Sequence, residues 1–339
     1  MNQLYVPALD AAPREGALRD ARGRHKRKLR VSLTDRCNLQ CLYCMPEHPK
    51  WLPREQILRR DELVRLVRLF VTELGIREVR LTGGEPLLRR DAVEIVGALN
   101  DLRSIGLERI AMTSNAVRLA PVAGALRQAG LDDLNISIDS ITPERFHAMT
   151  RGQVAPVLEG IAAARAAGIG VKLNSVVIRG YNEDEVLPLV RWAAGQDVSL
   201  RFIEFMPLDG RGLWTRDKVI TEAEILEQVG REFGIERLPR TAEPAEYFRL
   251  DGRYRLGIIP TISRPFCSTC DRVRLSATGE LYSCLFSEAC RDLKAPLRSG
   301  ADDARLAQLV RGHVWHKEAG YAARPGYVER PITMHHLGG

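Results

Sequence analysis

The sequence has no apolar run near the roughly 18 residues that a membrane-spanning helix needs, so a helical membrane protein is excluded. Residues 1–16 carry acidic side chains and no apolar h-region, so they do not read as a secretory signal, and a cytoplasmic protein is expected. Aromatic residues are scarce at 6%, and no nucleic-acid-binding motif, internal repeat or low-complexity segment is visible. The formal net charge of +7 therefore points to a small anionic substrate rather than to nucleic acid. An even set of cysteines is also missing. There are seven, and an odd number without an export signal argues against a disulfide framework. What is present is ample apolar material, 45% of 339 residues, enough for one large α/β domain with an extension. The basic run Arg22, Arg24, His25, Lys26, Arg27, Lys28 is expected to be a mostly solvated segment.

The cysteines fall as three, three and one. Cys37, Cys41 and Cys44 have C-x3-C-x2-C spacing just after a short apolar strand. Structural zinc usually takes four ligands in paired C-x2-C sets, which this loop does not offer. Three thiolates can instead hold three irons of a four-iron cluster and leave the fourth iron open to a small ligand, and Tyr43 suits an aromatic shield beside it. Cys267, Cys270 and Cys284 form a second trio with C-x2-C-x13-C spacing. Cys290 is its one candidate for a fourth ligand, and the spacing disfavours it. The two trios suggest two metal centres and a reducing environment. Between Cys270 and Cys284 lie Arg272 and Arg274, which share one face of a strand, so both guanidinium forks can address one anion.

Thr82-Gly83-Gly84-Glu85-Pro86 is a Gly-Gly turn at a strand end. It lacks the Lys-Ser/Thr of a phosphate loop, but it lets backbone carbonyls approach a ligand closely. Strands are expected at Leu29 to Leu33, Glu78 to Leu81, Arg109 to Met112, Leu134 to Ile138, Val171 to Ile178 and Ser199 to Phe205. Helical patterns lie between them, with Asp91 as a plausible cap. Six such units imply a parallel sheet with its site at the C-terminal ends of the strands. Residues 208–250 read as polar and irregular apart from a helix at Thr221 to Phe233. A strand at Arg253 to Ile259, a Thr278-Gly279 hairpin turn and helices near 288–296 and 302–314 complete the pattern.

The first cysteine loop resembles the signature of the radical S-adenosylmethionine (SAM) enzymes. That resemblance implies a partial (β/α)6 TIM-like barrel, with Cys37, Cys41 and Cys44 as ligands of a [4Fe-4S] cluster whose open iron is chelated by SAM. One electron then cleaves SAM to an adenosyl radical. The same resemblance implies SAM contacts at Tyr43, Gly84, Ser137, Asn174 and Met206. Val31-Ser-Leu-Thr-Asp-Arg-Cys, Arg80-Leu-Thr-Gly-Gly-Glu-Pro, Phe202-Ile-Glu-Phe-Met-Pro, Phe266-Cys-x2-Cys-Asp-Arg-Val-Arg-Leu and the terminal Gly338-Gly339 narrow it to the GTP 3′,8-cyclases. From these follow a second [4Fe-4S] cluster on Cys267, Cys270 and Cys284, and GTP contacts at Arg30, Arg80, Thr113, Lys172, Arg272, Val273 and Arg274. A flavodoxin- or ferredoxin-like electron donor, a downstream cyclic pyranopterin monophosphate synthase and a homodimer follow as well. Ser114-Asn115-Ala116 replaces the usual Thr-Asn-Gly, so its backbone is expected to be less free. The chain divides on this reading into a loosely ordered extension (1–23), the barrel (24–250) and an auxiliary-cluster region over the barrel mouth (251–339). The rival readings are a peptide-modifying radical SAM enzyme and a two-cluster electron-transfer protein. The Gly-Gly tail is expected to reach the active site.

Overall fold

The computed structural model describes residues 12–241, 243–321 and 334–338. Its centre is a run of parallel strands that pair in chain order: β1 (Lys28–Ser32), β2 (Glu78–Thr82), β3 (Arg109–Ser114), β4 (Asp133–Ser137), β5 (Gly170–Val177) and β6 (Ser199–Glu204). These are the six expected strands. Helices between them, such as Arg60–Thr72 and Val186–Gly195, bury apolar faces against the sheet.

Parallel strands covered on both faces are usually apolar throughout. These strands alternate instead. Leu29, Val31, Val79, Leu81, Ile110, Met112 and Leu173 pack into the hydrophobic core. Their neighbours Lys28, Arg30, Glu78, Arg80, Arg109, Thr113, Lys172 and Asn174 line a cavity. Side chains alternate in direction along a strand, so one face meets the helices and the other encloses a polar lumen.

Six further strands complete the sheet: β7 (Ile235–Arg237), β8 (Glu246–Leu250), β9 (Tyr254–Ile259), β10 (Arg272–Leu275), β11 (Glu280–Tyr282) and β12 (Cys290–Asp292). The twelve follow the order β12-β11-β10-β1-β2-β3-β4-β5-β6-β9-β8-β7. β9 pairs parallel with β6 and β10 parallel with β1, so the barrel-like run is eight strands wide. β9 and β10 are consecutive in the chain yet sit at its two margins. The link 260–271 must therefore leave β9 at the C-terminal end of the parallel strands and re-enter β10 at the N-terminal end. It carries Cys267 and Cys270 with it. β11 runs antiparallel to β10 and brings Cys284 to the same end.

This topology corrects the expectation that all the chemistry lies at the C-terminal strand ends: the first cysteine trio does, and the second does not. Residues 208–250 are also more regular than expected, since β7 and β8 form an antiparallel margin on β9. The helix expected near 288–296 is in part β12, because Cys290 pairs with Tyr282 across the β11 edge, and only Lys294–Arg298 is helical. Asp91 does not cap its helix; its carboxylate accepts from Arg89 Nε at 2.8 Å. Nor is the basic run wholly solvated. Lys26 is 1% exposed, and Leu18 and Asp20 are buried beside it. Of the expected loose extension, residues 1–11 lie outside the described residues, while Leu18 N–H donates to Leu74 O at 2.9 Å.

Candidate active site

A cavity of about 350 Å³ runs through the lumen, and both cysteine trios line it. The first trio sits at the C-terminal strand ends and is held largely by backbone. Gly83 and Gly84 press against the loop that leads into Cys37: Gly84 N–H donates to Thr34 O and Glu85 N–H to Arg36 O, each at 2.7 Å. A Cβ on Gly84 would strike the carbonyl oxygens of Arg36 and Asp35, which explains a glycine there. The Glu85 carboxylate accepts from Ser114 Oγ (2.8 Å), Asn115 N–H (2.7 Å) and Leu87 N–H (3.0 Å), locking the ends of β2 and β3 together. Burial pushes its pKa up to about 7. Asn115 Nδ2 donates to Cys37 Sγ at 3.6 Å, as does Leu39 N–H at 3.4 Å. Ala116 adopts a left-handed conformation although it carries a Cβ, with φ at +61°. Tyr43 lines the cavity and donates its hydroxyl to Asp139 Oδ2 at 2.7 Å. Asp139, whose other oxygen accepts from Val176 N–H at 2.9 Å, was not anticipated. Its only signal was an acidic residue just past the fourth strand.

Cys37, Cys41 and Cys44 all line the cavity, an arrangement that suits a four-iron cluster held by three thiolates with its fourth iron facing the lumen. Burial pushes the thiol of Cys37 up to about 11 and that of Cys44 up to about 12, and Cys41 well above its ordinary value. Thiolates there need a strongly cationic partner, which a cluster supplies.

The second trio has the opposite surroundings. Lys317 Nζ donates to Cys270 Sγ at 3.4 Å, to Arg272 O at 3.1 Å and to Ser283 O. Lys26 Nζ donates to Cys270 O and to Asp20 Oδ2, each at 2.8 Å. Arg24 reaches Cys267 O and Ala319 O, both at 2.8 Å. Burial pushes the Cys270 thiol up, but Arg272 and Lys317 overcome it and hold the thiol down at about 6. Cys290 packs with Tyr282 and Leu337 and does not line the cavity.

Between the trios stand the cations. Arg274, Arg30 and Arg80 share one register level on three adjacent strands. Arg272 and Lys172 also line the cavity, as does Arg201 on β6, which the sequence reading missed. Gly257 leaves the space that Arg201 fills, and Arg201 Nε donates to Asn174 Oδ1 at 3.0 Å. Burial, then Arg274, Arg272, Arg80 and Arg201, push the Arg30 pKa well below its ordinary value. Arg80 Nη1, Thr113 Oγ1 and Asn135 Oδ1 are buried without a hydrogen-bond partner among the described residues. Orphaned polar atoms of this kind are rare in folded proteins and mark where a polar ligand belongs. Gly84, Ser137, Asn174 and Met206 line the same cavity. Val273 is the exception among the expected contacts. Its side chain is fully buried in the core, because it alternates with Arg272 and Arg274 on β10. The tail does come to the site: Gly338 O accepts from Arg274 Nη1 at 2.7 Å, and Gly338, at φ +71°, has no room for a Cβ beside Thr82. Gly339 lies outside the described residues.

An eight-strand parallel lumen with a C-x3-C-x2-C loop over its C-terminal end defines a radical SAM enzyme. The sequence matches the Radical SAM superfamily over residues 31–193 and Molybdenum Cofactor Synthesis C over residues 198–323. It is 45% identical to the GTP 3′,8-cyclase of Streptomyces coelicolor, over 97% of this chain and 99% of that one. It is 44% identical to GTP 3′,8-cyclase 2 of Mycobacterium tuberculosis (96% and 93%) and 42% identical to the GTP 3′,8-cyclase of Corynebacterium glutamicum (99% and 92%). The chain belongs to the GTP 3′,8-cyclase family. Among solved structures, Streptococcus suis SuiB bound to precursor peptide SuiA shares the fold, with TM-score 0.51 and 14% identity over 60% of this chain and 45% of that one. The family's cofactors are SAM and [4Fe-4S] clusters. No described helix is long and apolar enough to cross a membrane.

Proposed function

We propose that this chain converts GTP to (8S)-3′,8-cyclo-7,8-dihydroguanosine 5′-triphosphate, the first step of molybdenum cofactor biosynthesis. The observation that carries the reading is the row of Arg274, Arg30 and Arg80 between two thiol trios, joined by Arg272, Arg201 and Lys172. Arginine forks are suited to bidentate phosphate contacts, and so many cations in one lumen match a triphosphate. On this reading Cys37, Cys41 and Cys44 hold the cluster that binds SAM, while Gly84, Ser137, Asn174, Met206 and Tyr43 surround the SAM. Cys267, Cys270 and Cys284 hold a second cluster that faces the guanine. When bound, SAM and the first cluster supply the carbon radical that removes hydrogen from ribose C3′.

The protein's own share is positional. Thr113, Lys172 and the arginines fix the triphosphate, and the second trio lies at the far end of the lumen, so guanine C8 can be held near C3′. Orientation of this kind can account for several kcal/mol of a barrier, up to about 7–11 in the best cases. The enclosing strands and the link 260–271 keep water from the reacting carbons. Gly338 on Arg274 gives the tail a task in ordering that arginine. The same reading calls for a flavodoxin- or ferredoxin-like electron donor and a downstream cyclic pyranopterin monophosphate synthase, and it accommodates a homodimer.

The test is anaerobic reconstitution followed by incubation with SAM and dithionite, with and without GTP. About eight irons per chain, 5′-deoxyadenosine and a GTP-derived cyclised isomer are expected, with [3′-²H]GTP delivering its deuterium to the deoxyadenosine. Protein that binds zinc and no iron would refute the proposal.

A further inference from the structure

Lys317 has a place in the structure that the mechanism above leaves unexplained. It follows the helix Asp303–Trp315 and is 5% exposed. An ammonium has three N–H donors, and here each finds an acceptor: Cys270 Sγ, Arg272 O and Ser283 O. These acceptors belong to the two chain segments that carry the second trio, since Cys270 precedes β10 and Ser283 adjoins Cys284. One side chain thus joins both segments and places its charge on a ligand sulfur. Lys26 makes a different contact. It donates to the backbone oxygen of Cys270, and its charge is matched by Asp20. No described carboxylate forms an ion pair with Lys317. A buried charge persists only where something anionic balances it, and the thiolates are the anions at hand.

We infer that Lys317 is a positioning residue for the second cluster: it donates to Cys270 Sγ, holds the two ligand segments together, and sets the cluster's reduction potential through its charge. The inference rests on the assignment of a cluster to the second trio. Potentials of such clusters depend on net charge and on hydrogen bonds to the sulfurs. Reduction adds a negative charge, so a fixed cation beside the cluster favours the reduced state and raises the potential. Removing it must lower the potential.

The experiment is an EPR-monitored redox titration of the full, reconstituted chain, with the second cluster's signal identified by its loss in Cys267→Ala. Lys317→Met keeps the length of the side chain and removes the charge. The expected result is at least a tenfold drop in the reduction equilibrium constant of the second cluster, about 59 mV for one electron. The first cluster's midpoint should not move. Lys26→Met should shift the second midpoint less. An unchanged midpoint in Lys317→Met with full iron content would overturn the inference. If Lys317→Met loses the second cluster's iron, Lys317→Arg decides. Retention of the cluster near the wild-type midpoint would support a role for the charge, and loss of iron or a shifted midpoint there would overturn it. A wild-type chain without any second signal would overturn the cluster assignment itself, and this inference with it. A signal indifferent to Lys317 overturns the inference alone.

Discussion

The two cysteine trios offer the same donors in opposite settings. The first is gripped by backbone: glycines without room for a Cβ, a buried glutamate that accepts from three donors, and an asparagine amide on Cys37. Glu85 and Asp139 lie beside it, and the one cation hydrogen-bonded to the loop among the described residues, Arg211, reaches backbone oxygens only, Met45 O at 3.0 Å and Gln40 O at 3.4 Å. The second is gripped by side-chain cations, namely Arg24, Lys26, Lys317 and Arg272. Burial drives the Cys44 thiol to about 12, while the cations bring Cys270 to about 6 despite its burial. The difference teaches that a thiol triad does not define a cluster's behaviour. A setting with fewer cations favours the added electron less, so a cluster held there is the stronger reductant once reduced, which suits cleavage of a sulfonium. A cationic setting favours the reduced state, so a cluster held there is the weaker reductant.

The comparison breaks most completely if the trios can be interchanged. Replacing Cys37, Cys41 or Cys44 by Ala should abolish 5′-deoxyadenosine formation. Replacing Cys267, Cys270 or Cys284 should leave SAM cleavage measurable and abolish cyclised product. Chromatography of both products decides it, and SAM cleavage that survives loss of a first-trio cysteine would end the distinction.

A smaller effect sharpens what lies between the trios. Arg272→Ala or Arg274→Ala should weaken GTP binding by one to two decades, since a lost contact to a charged group costs about 1.5–3 kcal/mol, with the first cluster intact by iron analysis. Deleting Gly338 and Gly339 should spare GTP affinity and lower the yield of cyclised product, because the tail contacts Arg274 through a backbone oxygen. Equilibrium dialysis with GTP beside a turnover assay separates the two outcomes. Unchanged affinity in both arginine variants would assign them to packing.

The smallest effect concerns the backbone grip on the first trio. Ala116 at φ +61° carries the cost of about 1–2 kcal/mol that an L-residue meets there. Ala116→Gly removes that strain but adds unfolded-state freedom worth about 0.5–1 kcal/mol. A net stabilisation below about 1 kcal/mol is expected, read from the urea midpoint of the anaerobic protein. A marked loss of stability would show that the methyl group matters more than the conformation.

Much of this was legible in the chain itself. The six central strands could be read because each alternates apolar and polar residues between turn signals, and the grouping of six thiols into two trios because their spacing is local. The arginines of β10 were legible for the same reason: two residues apart on a strand, they had to share a face. Arg201 was not, since Ser199–Glu204 reads as an ordinary buried strand until Gly257, on a strand more than fifty residues later, opens space beside it. Lys26 read as one more solvated cation, because its partners Asp20 and Cys270 O meet only when the N-terminal segment folds against the far end of the barrel.

Local order along the chain therefore determined the chemistry: which thiols act together, which turn carries a glycine for close approach, which face of each strand is polar. Tertiary structure alone decided the electrostatics. β9 and β10, neighbours in sequence, pair with opposite margins of the parallel run, and the link between them carries two of the second trio's cysteines to the opposite end of the lumen from the first trio. There they meet Lys26 and Lys317, residues separated by most of the chain. Spacing on one strand or loop is set by covalent geometry, whereas the charge around a buried thiol is a sum over whatever folding brings within a few ångströms.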